Sequence, residues 1–124
     1  MDEQSSAIKV VIQGQDVAGT IVDGGSGVNV INKTTCDRLG IRKWDACPFW
    51  LWMADTSIVR PLGLIRHLDV IVGGYTLQIL VVVLQLDAVG AYPLLLGRPW
   101  LKLANIKQNW NKNVLTFRKG KSKI

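Results

Sequence analysis

A glycine-rich loop interrupts an apolar run in the stretch IVDGGSGVNVI, residues 21–31. Asp23 stands at the junction, after Ile21 and Val22 and before the loop Gly24-Gly25-Ser26-Gly27. Glycine lets a backbone turn tightly and approach another segment closely, so an acid at this place is a candidate for chemistry. Aspartate is also a common turn residue, because its carboxylate bonds nearby loop amides. The stretch alone leaves both interpretations open.

Spacing excludes three other functions of glycine-rich loops. A phosphate-binding loop ends in Gly-Lys-Ser or Gly-Lys-Thr, whereas this loop continues Gly27-Val28-Asn29. A nucleophile elbow centred on Ser26 needs glycine at position 28, which is Val. The third glycine and the parallel βαβ unit of a dinucleotide-binding loop are also missing.

Runs rich in Val and Ile alternate with Gly and Asn turn signals along the chain, and this rhythm predicts an all-β fold. The predicted strands are Ile8–Ile12, Val17–Val22, Leu68–Val72, Tyr75–Leu84 and Val114–Phe117. Three segments between such runs offer residues that tolerate a positive φ and therefore predict hairpins. They are Gln13–Asp16, Gly73-Gly74 and Asn111–Asn113.

Two short helices are predicted. Asn32 is a candidate cap for a helix over Lys33–Leu39, with Gly40 as its left-handed stop. Pro99 is suited to open a second helix, from Arg98 to about Ala104.

The two halves of the chain also show a weak internal repeat. A hairpin precedes Ile21-Val22-Asp23-Gly24-Gly25 in the first half, and a hairpin and a helix flank Leu95-Leu96-Gly97 in the second. Only the first copy carries an acid, so the repeat is structural and the chemistry lies on one copy.

Length and charge limit the class of protein. The chain has 124 residues, of which 48% are hydrophobic and 19% charged, and this predicts one compact domain. Four basic residues of a C-terminal tail, residues 118–124, supply most of the net charge of +6 and leave residues 1–117 at about +2. A surface that follows nucleic-acid phosphates would carry such charge within the fold, so we expect no more than weak contact by the tail.

Metal and membrane functions find little support. His67 is the single histidine and stands beside two cysteines, Cys36 and Cys47, too few ligands for a zinc site. We expect idle thiols and no metal or organic cofactor. The longest apolar run, Ile79–Leu84, is far too short to span a bilayer, and the start MDEQSS is polar, so we expect an intracellular protein.

Three motifs together resemble the retropepsin-like aspartic proteases, most closely the protease segment of plant gypsy-type LTR retrotransposon polyproteins. They are IVDGGSGVNVI at 21–31, Trp52–Ser57 followed by Pro61-Leu62-Gly63, and Pro93–Leu101. The resemblance covers nearly the whole chain. It implies that the first motif is a catalytic loop, the second a flap hairpin, and the third a strand and helix that support the active site.

The family uses two aspartates that share a proton around one water, and this chain offers one such residue, Asp23. The resemblance therefore implies a single-lobed domain over 1–117 with a short C-terminal helix, active as a C2 homodimer. The implied function is an aspartic endopeptidase that processes a retrotransposon-type polyprotein.

Further site residues follow from the resemblance. The active-site loop is Gly24, Gly25 and Ser26, and Gly97 and Arg98 support it. Extended substrate is expected to contact the floor, the flap tip and a pocket loop within Asp87–Tyr92. These substrate-binding residues are Gly25, Gly27, Val28, Met53, Ala54, Asp55, Thr56, Ser57, Ala88 and Val89. We expect Trp50, Trp52 and Trp100 to pack in the core or at the dimer interface.

Two alternatives stay open: departures from the family pattern support the first, and the basic tail and the aromatic residues support the second. Gly24 replaces the Thr or Ser whose hydroxyl braces the two catalytic loops, and Ser26 is a candidate substitute. Val28 and Asn29 replace acids, which removes the usual partner of Arg98. One alternative is a catalytically degenerate module that serves dimerisation or peptide binding, and the other is a small nucleic-acid-binding β-barrel.

Overall fold

The computed structural model describes residues 5–53, 56–87, 91–104, 106–109 and 114–117. Ten strands and two short helices make up this part of the chain. In chain order they are β1 (Ser5–Ile12), β2 (Gln15–Asp23), β3 (Val30–Asn32), α1 (Lys33–Leu39), β4 (Leu51–Trp52), β5 (Ile58–Val59), β6 (Gly63–Val72), β7 (Tyr75–Leu84), β8 (Leu94–Leu96), α2 (Arg98–Leu103), β9 (Ile106–Asn109) and β10 (Val114–Phe117). No helix among the described residues is long and apolar enough to cross a membrane.

Six strands close into a barrel in the order β1-β2-β8-β3-β7-β6. This order is unchanged when β1, β2 and β3 are exchanged with β6, β7 and β8, so the strand order of the two halves has an internal twofold symmetry. The internal repeat is therefore present, but it is offset from the predicted alignment. Leu95-Leu96-Gly97 corresponds to β3 and the start of α1, not to the Asp23 loop, since β3 and β8 each lead into a helix.

Left-handed residues close two of the predicted hairpins. Gln13 and Gly14 have φ values of 52° and 74°, and Gly73 and Gly74 have values of 57° and 84°. Two consecutive positive φ angles match the right-handed twist of the strands they join. The third hairpin is present as the antiparallel pair β9–β10, while its turn at 111–113 lies outside the described residues.

A bulge explains why β6 begins five residues before the prediction. Its register against β7 shifts between Ile65 and Leu68, where Arg66 and His67 are both exposed. Two consecutive polar residues break the alternation that marks a strand in a sequence. The strands β3, β4, β5 and β8, of two or three residues each, and β9 were not predicted as strands from the pattern of apolar runs.

Both helices begin where predicted. α1 ends at Gly40, whose φ is 77°, and α2 ends one residue before the predicted Ala104. Asn32 is correctly placed before α1, but the prediction that its side chain caps the helix is wrong. Its amide instead donates to the carbonyl of Leu86 (3.1 Å) and accepts from the amide of the same residue (3.2 Å).

Two apolar clusters lie on opposite faces of β7. Val81 and Val83 pack into the larger cluster, inside the barrel, whereas Val82 and Leu84 pack into a smaller one beside the Asp23 loop. Burial on both faces accounts for a strand without polar alternation. Trp100 is fully buried in the larger cluster, as predicted.

The Cys36 thiol, buried in α1, predicts a loss of stability at high pH. Burial raises the pKa of this thiol from 9.0 to about 11, and the charge of Asp37 adds to the shift. The unfolded chain ionises first as pH rises, so this contribution to stability is full below about pH 9 and is lost towards about pH 11. Urea unfolding at neutral and alkaline pH should show a smaller alkaline loss in Cys36→Ala. An equal loss in both proteins contradicts the assignment, and the neutral-pH difference measures the packing cost separately.

Candidate active site

The Asp23 carboxylate is oriented by its own loop. Asp23 is the last residue of β2 and is half-buried, and its Oδ1 accepts a hydrogen bond from the amide of Gly25 (2.8 Å). The amide of Ser26 donates to the Asp23 carbonyl (3.2 Å). A Cβ at Gly25 would lie 3.2 Å from Oδ1, a tight contact that a residue with a side chain could make only with a small shift of the carboxylate. The turn-forming interpretation of Asp23 is thus correct, and it leaves the residue available for chemistry.

The Ser26 hydroxyl bonds within the same loop. It donates to the carbonyl of Val28 (2.8 Å) and accepts from the amide of Val28 (3.3 Å). Gly24 has no side chain to contribute. The hydroxyl proposed as a substitute for the missing brace therefore has local partners within one chain.

Asn29 ties the loop to the second half of the barrel. Only 2% of this residue is exposed. Its Oδ1 accepts from the amide of Gly97 (2.8 Å), and its Nδ2 donates to the carbonyl of Leu80 (3.1 Å). From the sequence, Asn29 was expected only to replace an acid of the family pattern. An isolated amide within the apolar run Val28–Ile31 was the available signal, because a buried polar group needs partners.

Gly97 and Arg98 hold the loop through their backbones. A Cβ at Gly97 would clash with the carbonyl oxygen of Val28 and lie 2.8 Å from that of Ser26. The amide of Arg98 donates to the Ser26 carbonyl (2.9 Å). The Arg98 side chain is exposed, and the ion pairs found among the described residues do not include it. Both residues thus contact the active-site loop, and the Arg98 guanidinium also lies beside it, since a Cβ added at Gly27 would be 3.3 Å from Arg98 Nη2.

A cleft of about 600 Å³ opens above Asp23. The loop forms one part of its lining, β4 and its extension form a second, and β7, β8 and the segment before β8 form a third. The lining residues are Asp23, Gly25, Ser26, Gly27, Val28, Val30, Leu51, Trp52, Met53, Leu84, Tyr92 and Leu95. The structure therefore brings Gly25, Gly27, Val28 and Met53 together in one cleft with Asp23, while their contact with substrate stays a prediction.

The expected flap is a short hairpin. β4 and β5 pair antiparallel, with Leu51 opposite Val59 and Trp52 opposite Ile58. The amide of Met53 donates to the Ser57 carbonyl (2.8 Å), which closes the turn.

The outcomes for individual flap residues differ. Thr56 and Ser57 are exposed and are not among the residues that line the cleft in one chain, so their contact with substrate stays a prediction. Ala54 and Asp55 lie outside the described residues. Trp52 is 75% exposed and borders the cleft, and Trp50 is 61% exposed, so within this chain neither is a core residue.

Tyr92 places a phenol group in the same cleft as the Asp23 carboxylate. Burial raises the pKa of its phenol, and the negative charge of Asp23 raises it further, so the phenol stays neutral at ordinary pH. Asn32 donates to the Tyr92 carbonyl (3.4 Å) and thereby helps to place this segment. Tyr92 belongs to the predicted pocket loop, whereas Ala88 and Val89 lie outside the described residues.

Comparisons with known proteins identify the fold. No protein-family model matches the chain, and no curated protein matches it. Among solved structures, the retroviral protease-like domain of Ddi1 from Leishmania major has a TM-score of 0.69 and 23% identity, over 90% of this chain and 82% of that one. A retropepsin-like aspartic protease from Rickettsia conorii gives 0.65 and 19%, over 88% and 78%. EIAV protease in complex with an inhibitor gives 0.57 and 16%, over 81% and 88%. The chain thus has the retropepsin-like fold, mostly β with a closed six-stranded barrel.

Proposed function

We propose that this chain is an aspartic endopeptidase that acts as a homodimer, with Asp23 of each subunit as the catalytic pair. The observation that carries the proposal is the position of Asp23, on a tightly held glycine loop in a flap-bordered cleft. Asp23 is the one carboxylate among the described lining residues. Aspartic protease chemistry needs two, so a single chain provides half of a site.

A C2 axis beside the loop would complete the site with identical residues. Two carboxylates in contact share one proton, so one acts as a base and the other as an acid. The ionised carboxylate removes a proton from water, whose oxygen attacks the scissile carbonyl carbon. The protonated carboxyl transfers its proton to the carbonyl oxygen, and the tetrahedral intermediate then collapses as the amide nitrogen is protonated and leaves.

The walls of the cleft suit an extended peptide with apolar side chains. Leu51, Met53, Leu84 and Leu95 line it together with Tyr92. A strand bound between flap and floor pairs through its main chain and presents alternate side chains to such walls. By resemblance, we propose a retrotransposon-type polyprotein as the substrate, processed inside the cell or in a virus-like particle.

A second candidate function is a non-catalytic module for dimerisation or peptide binding. The observation in its favour is Gly24, together with a Ser26 hydroxyl whose partners lie in its own loop. Without a brace between subunits, the two loops lose a hydrogen bond each, which costs about 1–3 kcal/mol per buried group.

Dependence on protein concentration tests the first proposal. A site shared by two chains predicts that cleavage per chain rises with concentration until the dimer is saturated. A mixture of diverse peptides should be incubated at several concentrations over roughly pH 4 to 7, where a shared proton supports both roles. Oligomeric state is measured on the same samples, and a statine-type mimic of the tetrahedral intermediate should block cleavage.

The outcomes separate the two candidates. Cleavage that rises in step with the dimer fraction supports the protease. A confirmed dimer that binds peptides without cleaving them supports the non-catalytic module. Cleavage per chain that stays constant while the dimer dissociates contradicts a site built from two subunits.

A further inference from the structure

A second concave surface lies on the outside of the barrel. It encloses about 710 Å³ and is lined by Arg42, Lys43, Trp44, Asp45, Leu64, Ile65, Arg66 and His67. We name this surface the basic groove. It shares no lining residue with the cleft above Asp23. Arg42, Lys43, Arg66 and His67 are all exposed, and His67 Nδ1 lies 3.1 Å from Gln78 Oε1, within hydrogen-bond distance.

The bulge in β6 builds one side of the groove. Ile65 pairs with Val81, but Leu68 pairs with Ile79, so β6 has one extra residue between these two points. Regular alternation would place one of Arg66 and His67 inward, whereas both are exposed. The bulge therefore directs two adjacent nitrogen-bearing side chains to the same surface.

The groove has an excess of positive charge. Arg66 Nε lies 3.1 Å from Asp45 Oδ2, and the two side chains form an ion pair. Arg42 and Lys43 take part in none of the ion pairs found among the described residues. Three permanent cations thus face one carboxylate, and the uncompensated charge favours an anionic ligand.

The same groove borders an open strand edge. β7 pairs with β6 along one side, and on the other side the backbone of Leu64 bonds to that of Asp45 (2.8 and 2.9 Å). β1 meets β6 at Val11 and Ile71. Between these two points, no described strand pairs with β6 on that side. This stretch, residues 65–70, has no strand partner on that side among the described residues, and its length matches a strand of about four or five residues, or roughly 15 Å.

We propose that the basic groove binds an acidic, extended peptide segment that adds a strand to the open edge of β6. The edge supplies main-chain donors and acceptors that match a peptide backbone, and alternate acidic side chains would meet Arg42 and Lys43. A free strand edge gives no such pairing to a nucleic acid, so the peptide is favoured. This binding does not depend on Asp23 or on peptide cleavage.

Fluorescence anisotropy with a labelled peptide of alternating Glu and Thr, blocked at both ends, tests the proposal. We expect binding that weakens with added salt, and no binding of the matched peptide of alternating Lys and Thr. The double variant Arg42→Gln, Lys43→Gln should bind the acidic peptide about tenfold more weakly. The control Lys9→Gln, Lys102→Gln removes the same charge from exposed sites elsewhere and should bind normally.

Two further probes address the mode of binding. N-methylation of alternate backbone amides in the acidic peptide should abolish binding, because a methylated amide cannot pair with the edge. Unchanged binding of the methylated peptide, or equal binding by both double variants, overturns the proposal. So does an oligothymidylate probe that binds more tightly than the acidic peptide and depends on the same two residues. Asp23→Asn should bind the acidic peptide normally, which separates this test from that of the protease.

Discussion

Replacement of Asp23 by Asn is expected to reduce peptide cleavage by about a thousandfold or more, because neither subunit then has a carboxyl group to move protons. The fold should survive the change. The amide oxygen of Asn can accept the hydrogen bond that Gly25 donates to Asp23 Oδ1 at 2.8 Å. Thermal unfolding and the dimer fraction should therefore match those of the parent chain.

The matched control is Asp37→Asn, which removes one carboxylate from the exposed surface of α1. It breaks the ion pair with Lys33 (3.0 Å), and an exposed pair of this kind contributes less than about 1 kcal/mol. Cleavage should stay at the level of the parent chain. Asp23→Asn with cleavage within tenfold of the parent would exclude Asp23 as the catalyst.

The substitution Gly97→Ala is expected to lower both the stability of the fold and the rate of cleavage. The added methyl group meets the carbonyl oxygens of Val28 and Ser26, and these are backbone atoms that cannot rotate away. To relieve this clash, the Asp23 loop and the start of α2 must move apart. We expect this to cost about 3 kcal/mol and to lower the melting temperature by about 10 °C. Cleavage should fall as well, because the loop that moves carries Asp23.

Backbone strain does not contribute to this effect, since Gly97 has φ −95° and any residue can adopt that value. The control Lys102→Ala lies in the same helix and is exposed, so its melting temperature should change little. A Gly97→Ala protein that melts within about 2 °C of the parent would show that the contact can relax without cost.

The sequence was sufficient to predict those features of the fold that local residue preferences determine. The glycines of the two left-handed turns and the helix stop at Gly40 are residue types with strong local backbone preferences. The Asp23 loop was also identified, because its glycines and its acid are adjacent in the chain.

Tertiary contacts determined what the sequence did not show. Asn32 looked like a helix cap, but its partner Leu86 is 54 residues away. Asn29 bonds to Gly97, 68 residues away. Both amides suit local turns equally well, so only the assembled barrel shows which partners they take. Trp52 was expected in the core or at the dimer interface; its exposure on a two-residue strand at the border of the cleft excludes the core of this chain, and the interface stays a prediction.

The backbone ties at the Asp23 loop bear on how such chains can diverge. The Arg98 amide bonds to the Ser26 carbonyl, and every amino acid except proline carries that amide. Position 98 can therefore drift through substitutions without loss of the tie, while position 97 is restricted to a residue without a side chain. A loop held by main-chain bonds requires few particular side chains. Main-chain ties of this kind are compatible with a shared fold at the 23% and 19% identity between this chain and two of the solved structures.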